Sequence, residues 1–518
     1  MPLIAEILIL VLAFSPLSAF VSGMILRQLR VRMALIWTIA FGGLGISWIT
    51  ALVLRFYLPT YKVLAGWQPQ TLFLDSPAVL VDGYSWGTIL IGLSLGLAFL
   101  FTEPAREGGL KFEEFVSGLL VISIAVFGVL AGNQVTLLLA WAAIDLIELF
   151  IWLSRSVQPE LRERIIIAFA SRASGTMLST YGIGQVVIYL FASILRMGIF
   201  PFHLRYIEEK DIRRGFGSLL RLTPPLVTIP FLARLAGIEQ SPLPSWLIGI
   251  STLMAIYGAI LWFMADNALE GRPYWIITTA AFMFIAALKH QPAGVLSWGF
   301  IMISSGAGIF LCRLRNRYWT FWIVIQVLIL CGIPFTPMWD LTRLYQDLFT
   351  IWTLGILFAH LLLVGGFFRH YNQIKNEPIM GEKWVSVLYG IGLSLLFFIP
   401  ILIGYSGWSQ LLQSDTGYSY DPSRSFLEYW SGLILLVCFL IAVLLQKVIQ
   451  INLPKPNLQG LDLLNFGWVL AFLRWVFRKF SGAFIFLDQI FEGQGGILWA
   501  FLVLILLGGF LYLVVAGG

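Results

Sequence analysis

The 518-residue sequence is 59% hydrophobic and 12% charged, with a mean hydropathy of +0.88. An ordinary globular domain is about a quarter charged, so a soluble fold is excluded in favour of a polytopic helical membrane protein. The net charge of +6 does not signal nucleic acid, because the basic residues sit in short connections between apolar runs.

Apolar runs of about 20 residues recur along the chain. They predict helices over 3–26, 34–57, 84–102, 115–132, 134–154, 163–182, 184–204, 217–236, 244–264, 273–288, 292–312, 318–337, 348–368, 384–405, 427–446 and 496–515. The opening MPLIAEILILVLAFSPLSAF lacks a basic leader region and predicts a retained first span. Arg and Lys concentrate in the odd-numbered connections, which places those on the cytoplasmic side and the N-terminus outside. Residues 451–495 are apolar and aromatic with a basic cluster at Arg474, Arg478 and Lys479. That pattern predicts an amphipathic helix lying along the membrane or a neighbouring subunit, with a further span as the alternative. Glycine spacings such as Gly92–Gly96 suit close helix packing.

Charges inside spans point to function. Asp145 and Glu148 are three apart and share a face of the fifth helix. Arg172, Arg196, Arg221 and Arg234 follow on the sixth, seventh and eighth helices. His203 follows Pro201, which is expected to break the seventh helix, and His360 sits in the thirteenth. Charges at membrane depth should turn inward and pair. Two readings are open: a hydrophilic proton path through Asp145, Glu148 and His203, or a fixed salt-bridge network that sets helix packing.

The nine lysines (Lys62, Lys111, Lys210, Lys289, Lys375, Lys383, Lys447, Lys455 and Lys479) all fall in predicted connections. Arginine does not release its proton near neutral pH, so the buried positions lack a cationic proton carrier. The three cysteines form no CxxC, and the chain has no phosphate loop, dinucleotide fingerprint, HExxH or haem motif. No metal and no cofactor is expected to be bound by this chain, and any redox step would belong to partners.

An ordered set of motifs resembles the antiporter-like membrane subunits of NADH:quinone oxidoreductase (complex I) and of Mrp cation antiporters. They are Asp82-Gly83-Tyr84-Ser85 at the third helix, Arg196 through Arg205 around Pro201-Phe202-His203, Leu219-Leu220-Arg221 with Phe231 through Leu235, and Gly332-Ile333-Pro334-Phe335-Thr336-Pro337. The chain departs from the family where Trp141 is followed by Ala142 rather than glutamate, with Asp145 one turn on. It departs again where Arg196 replaces the family's seventh-helix lysine and Arg221 its eighth-helix histidine or lysine.

The resemblance implies an all-α bundle of about 16 transmembrane helices. It also implies two inverted five-helix repeats, each with a broken helix at Pro201 or Pro334, plus a lateral helix. The boundaries are 1–112 for the N-terminal helices, 113–240 and 241–370 for the repeats, 371–450 for C-terminal helices, 451–495 for the lateral helix and 496–518 for the last span. It implies a non-catalytic subunit of an energy-converting complex in a bacterial-type inner membrane, contributing to proton or monovalent-cation translocation through a relay altered from the family's. Expected partners are sister antiporter-like membrane subunits and peripheral redox or hydratase subunits. A scaffold that no longer pumps and a stand-alone transporter or channel remain the alternatives.

Overall fold

Pairs of helices joined by tight reversals build the molecule. The computed structural model describes residues 2–405 apart from 65, 67–74, 106–110, 156–158, 182–184, 199–213, 239–244, 333–335, 339–343, 346–349 and 375–382. Beyond 405 it describes Ser406, Trp408, Leu412, Val437 and Trp475. The expected helices at 427–446 and 496–515, the lateral helix, Pro201, His203 and Pro334 lie outside the described residues. The chain divides into two units, Met1–Gln450 and Ile451–Gly518, and of the second only Trp475 is described.

Fourteen helices are described: α1 (Pro2–Gln28), α2 (Met33–Leu54), α3 (Trp86–Thr102), α4 (Phe112–Val129), α5 (Gln134–Arg155), α6 (Pro159–Tyr181), α7 (Val186–Arg196), α8 (Arg214–Gly237), α9 (Ser245–Met264), α10 (Ala268–Leu288), α11 (Pro292–Leu311), α12 (Arg317–Leu330), α13 (Ile351–Asn372) and α14 (Lys383–Tyr405). They match the first fourteen expected helices one for one. Eleven are long and apolar enough to cross a membrane, so the chain is an integral multi-pass protein. The three that fall short are α6, which is more polar, and the short helices α7 and α12.

One departure from an all-helical chain is an antiparallel hairpin, β1 (Thr60–Val63) with β2 (Ala78–Val81), in register Thr60↔Val81. It lies between α2 and α3, where Lys62 pairs with Glu6 at 2.5 Å. Thr136 Oγ1 accepts from the Ala78 amide at 2.8 Å, which ties the hairpin to the start of α5. The β-branched pair Val79 and Val81, both buried, explains the strand, because such residues fit a pleated half-buried surface.

The core is α3, α8, α10 and α11. Every residue of α3 and α11 is buried. The outer helices bury one face and expose large apolar side chains on the other, as Leu139, Leu146 and Phe150 of α5 do. Such a surface suits lipid. Gly92 and Gly96 serve close packing as expected. A Cβ on Gly92 would come within 2.8 Å of Leu226 on α8, and one on Gly96 within 2.9 Å of Ile122 on α4.

Five of the packing partnerships repeat in two sets of five helices, whereas the close packing of α6 on α7 has no counterpart of similar extent between α11 and α12. In the set α4–α8, the first helix packs on the fifth and on the second, the second on the third and the fifth, and the fourth on the fifth. In the set α9–α13, the first helix again packs on the fifth and on the second, the second on the third and the fifth, and the fourth on the fifth.

The fourth helix of each set stops in the same way. After α7, Met197 is the cap residue and Gly198 has φ +66. After α12, Cys331 is the cap residue and Gly332 has φ +76. The amides of Gly198 and Gly332 donate to the Leu195 and Ile329 carbonyls at 3.3 and 2.9 Å. Left-handed backbone at C′ favours glycine and closes the helix end. The expected helices to 204 and 337 are therefore corrected: each ends before its proline, at a glycine turn.

Candidate functional site: a buried ion-pair network

The α5 sequence places Trp141, Asp145, Glu148, Trp152 and Arg155 at alternating spacings of four and three, which is one helix face. Trp141, Asp145, Glu148 and Trp152 are buried. On α6, Arg172 is buried, and on α7 the terminal residue Arg196 is fully buried.

These side chains form a chain of alternating charge. Arg196 Nη1 donates to Asp145 Oδ2 in an ion pair. Arg172 Nε lies 3.1 Å from Asp145 Oδ1, and Arg172 Nη2 lies 2.5 Å from Glu148 Oε2. Asp145 therefore bridges both guanidiniums, and Arg172 bridges both acids. Arg196 Nη1 also donates to Thr176 Oγ1 at 3.2 Å, and its guanidinium lies 4.7 Å from the Trp141 ring centroid. The four charges sum to zero, which allows the group to exist away from water. Thr176 and the Trp141 ring contact Arg196 alongside Asp145, and a guanidinium stacks on a ring where an ammonium does not fit as well.

Buried polar atoms here with no hydrogen bond include Arg196 Nε and Nη2, Ser171 Oγ, Trp141 Nε1, Asp145 Oδ1 and both carboxylate oxygens of Glu148. Beside them is a cavity of about 40 Å³ lined by Ser171, Arg172, Arg196, Arg221 and the prolines of α8, among others. Pro224 and Pro225 stand inside α8, where each lacks an N–H, so the regular ladder opens at the cavity wall.

Of the eight charged or histidine candidates, the structure brings Asp145, Glu148, Arg172 and Arg196 together, with Arg221 on the adjoining cavity. Arg234 belongs elsewhere. Its Nη2 lies 2.9 Å from Asp82 Oδ2, and its guanidinium lies 5.6 Å from the Tyr84 ring centroid. Asp82 Oδ1 accepts from the Ser85 amide and hydroxyl at 2.9 and 2.8 Å. The Asp82-Gly83-Tyr84-Ser85 motif is thus a turn that opens α3 and pins it to the end of α8.

His360, on α13, also stands apart. Its Nε2 lies 3.1 Å from the Leu330 carbonyl oxygen and its Nδ1 2.6 Å from the Tyr345 hydroxyl. A carbonyl can only accept, so Nε2 carries the proton and Nδ1 accepts from Tyr345. The ring packs against Trp298 and Phe282, with centroids at 5.1 and 5.9 Å. Both nitrogens are engaged, and both partners are neutral. His360 thus links the end of α12 to Tyr345, apart from the four-charge group.

Thr176, Ser171 and the pair Arg155–Glu114, at 3.0 Å, are additions that the structure makes to the candidate residues. Arg155 is legible as a continuation of the α5 face; Thr176 and Ser171 are not, because serine and threonine are common in apolar helices for packing. Among the described residues no group of histidine, cysteine and acid side chains is placed to hold a metal ion. Lys111, Lys289 and Lys383 lie at helix ends and Lys62 in the hairpin, so no described lysine lies in a helix interior.

No family model and no curated protein matches this sequence. Solved structures do. A chain of the Mrp complex from Dietzia sp. DQ12-45-1b is 14% identical with a TM-score of 0.64; the match covers 99% of this chain and 63% of that one. This chain therefore spans less than two thirds of that relative. A chain of the membrane-bound sulfane sulfur reductase, an archaeal respiratory membrane complex, is 14% identical with a TM-score of 0.60, covering 96% of this chain and 99% of that one. A chain of respiratory complex I from Thermus thermophilus is 16% identical with a TM-score of 0.55, covering 77% and 97%. The likeness is one of fold, and it is to chains of the complexes whose antiporter-like subunits the motifs resemble.

Proposed function

We propose that this chain is an antiporter-like membrane subunit of an energy-converting complex, and that it contributes to proton translocation through Asp145 and Glu148. The observation that carries the reading is the chain Arg196–Asp145–Arg172–Glu148, buried on three consecutive helices at the end of a broken one. Protonation of either acid would leave Arg172 to the other, while Arg196 would stay a fixed positive charge beside Asp145. The proton is favoured over sodium because the described residues that line the adjoining cavity include three arginines and no carboxylate. A metal ion would meet repulsion and too few oxygen ligands there.

Sister membrane subunits and peripheral redox or hydratase subunits are the proposed partners, in a bacterial-type inner membrane with the N-terminus outside. The fold likeness to chains of multi-subunit complexes supports the partners, and the bias of basic residues supports the orientation. Of the proposed repeat boundaries, 113–240 and 241–370, the outer ends fall within two residues of the start of α4 and the end of α13.

A second reading, a scaffold that no longer pumps, rests on a specific observation: the second repeat ends its broken helix on a neutral histidine clamp rather than on an ion pair. Proton movement by the native complex in vesicles separates the two. Loss of pumping in both Asp145→Asn and Glu148→Gln, with assembly retained, supports the relay. Unchanged pumping in both favours the scaffold.

A further inference from the structure

We propose that the cavity bounded by α6, α7, α8 and α10 is a binding site for a small inorganic anion, of the size and charge of chloride or bromide. Its volume of about 40 Å³ compares with the 10–15 Å³ or so that one water needs, so it holds up to about three waters or one halide. Among the described residues its charged side chains are all cations, Arg172, Arg196 and Arg221. The only other described side chain there with an oxygen is Ser171, a hydroxyl that can donate.

Two lining groups are unpartnered donors. Arg196 is fully buried, yet its Nε and Nη2 have no hydrogen bond. Ser171 is 5% exposed and its Oγ has none. They come from different helices, α7 and α6, and face one cavity. A buried guanidinium with two open N–H groups is costly to leave unsatisfied, and an anion engages both with charge-assisted bonds. Pro224 and Pro225 close another side with apolar rings and no competing side-chain acceptor. An anion here would compete with Asp145 for the Arg196 guanidinium, so its occupancy would set how firmly that ion pair is held.

The test uses the purified full-length protein in lipid nanodiscs, with chloride replaced by gluconate, which is too large for the cavity. Sodium bromide is then titrated while the thermal unfolding midpoint is followed. A saturable rise in the midpoint is expected in the native protein. Arg196→Gln should weaken the apparent bromide affinity by about tenfold or more, and Ser171→Ala by a few-fold, in line with charged and neutral hydrogen bonds. Ser171→Ala changes one atom on a regular helix, so it keeps the test decisive where Arg196→Gln disturbs folding. Anomalous scattering from bromide should place the ion between α6 and α7. A midpoint indifferent to bromide, an equal response in Ser171→Ala, or water alone in the cavity would overturn the site. Proton pumping measured in gluconate reports on the acids separately, so the two ideas fail by different results.

Discussion

His360 Nε2 lies 3.1 Å from the carbonyl oxygen of Leu330, the last residue of α12. In the set α4–α8 the last residue of the matching helix, α7, is Arg196, and it is held by Asp145. Two helix ends with the same glycine turn are thus fastened by different chemistry. One carries an ion pair that protonation would alter, and the other a hydrogen-bonded neutral ring.

Asp145→Asn should be costly to stability as well as transport. It leaves Arg172 with Glu148 and Arg196 with no acid partner, and breaking a buried pair costs about 3–5 kcal/mol. Asp145→Glu keeps the charge and should recover much of that loss. Thermal unfolding of both variants in detergent checks the order; equal midpoints would mean that the acid is not held as an anion.

Arg196→Lys should retain more activity than Arg196→Ala, because the position needs positive charge beside Asp145. It should still fall below the native protein, since lysine loses the fork to Thr176 and the stacking on Trp141. Proton pumping in vesicles gives the ranking. Equal loss in Lys and Ala variants would instead show that guanidinium geometry is indispensable.

For His360, Gln offers both a donor for the Leu330 carbonyl and an acceptor for Tyr345, whereas Phe leaves both buried groups unsatisfied. His360→Phe should lower stability by about 1–3 kcal/mol and His360→Gln by less. Pumping per folded molecule should stay near native in both. A loss of pumping in a well-folded His360→Gln variant would return this histidine to the ion path.

Gly198→Ala isolates the backbone of the break. Nothing lies within 4 Å of a Cβ built there, so the penalty is conformational, about 1–2 kcal/mol for a left-handed residue. Gly332→Ala should show a similar loss, measured by unfolding, if the two turns are equivalent.

Arg234→Gln should weaken the tie between α3 and α8 without touching the relay. The pair is partly open to its surroundings, so a loss of about 1 kcal/mol or less is expected. A large pumping defect in a stable Arg234→Gln protein would place this arginine in the path after all.

The helices are legible in the residues because lipid leaves a backbone little choice: an apolar run of sufficient length must satisfy its own hydrogen bonds. Asp145 and Glu148 are legible as partners for buried arginines for the same reason, since an isolated charge is excluded there. The hairpin is not, because Thr60–Val63 and Ala78–Val81 are short and separated by a long connection. The glycine turns after α7 and α12 are not legible either, because the φ of Gly198 and Gly332 cannot be read from their identity.

What the sequence determined by itself is the solvent, the helix order and the demand that buried charges pair, because each follows from transfer free energies that act locally. Which guanidinium meets which acid was decided only by the tertiary structure. Arg172, Arg196 and Arg234 are alike as residues, yet the packing of α5 with α6, of α6 with α7, and of α3 with α8 gives the first two Asp145 and the third Asp82. Pairing depends on distances between helices far apart in the chain, and these are fixed by the fit of whole helix surfaces.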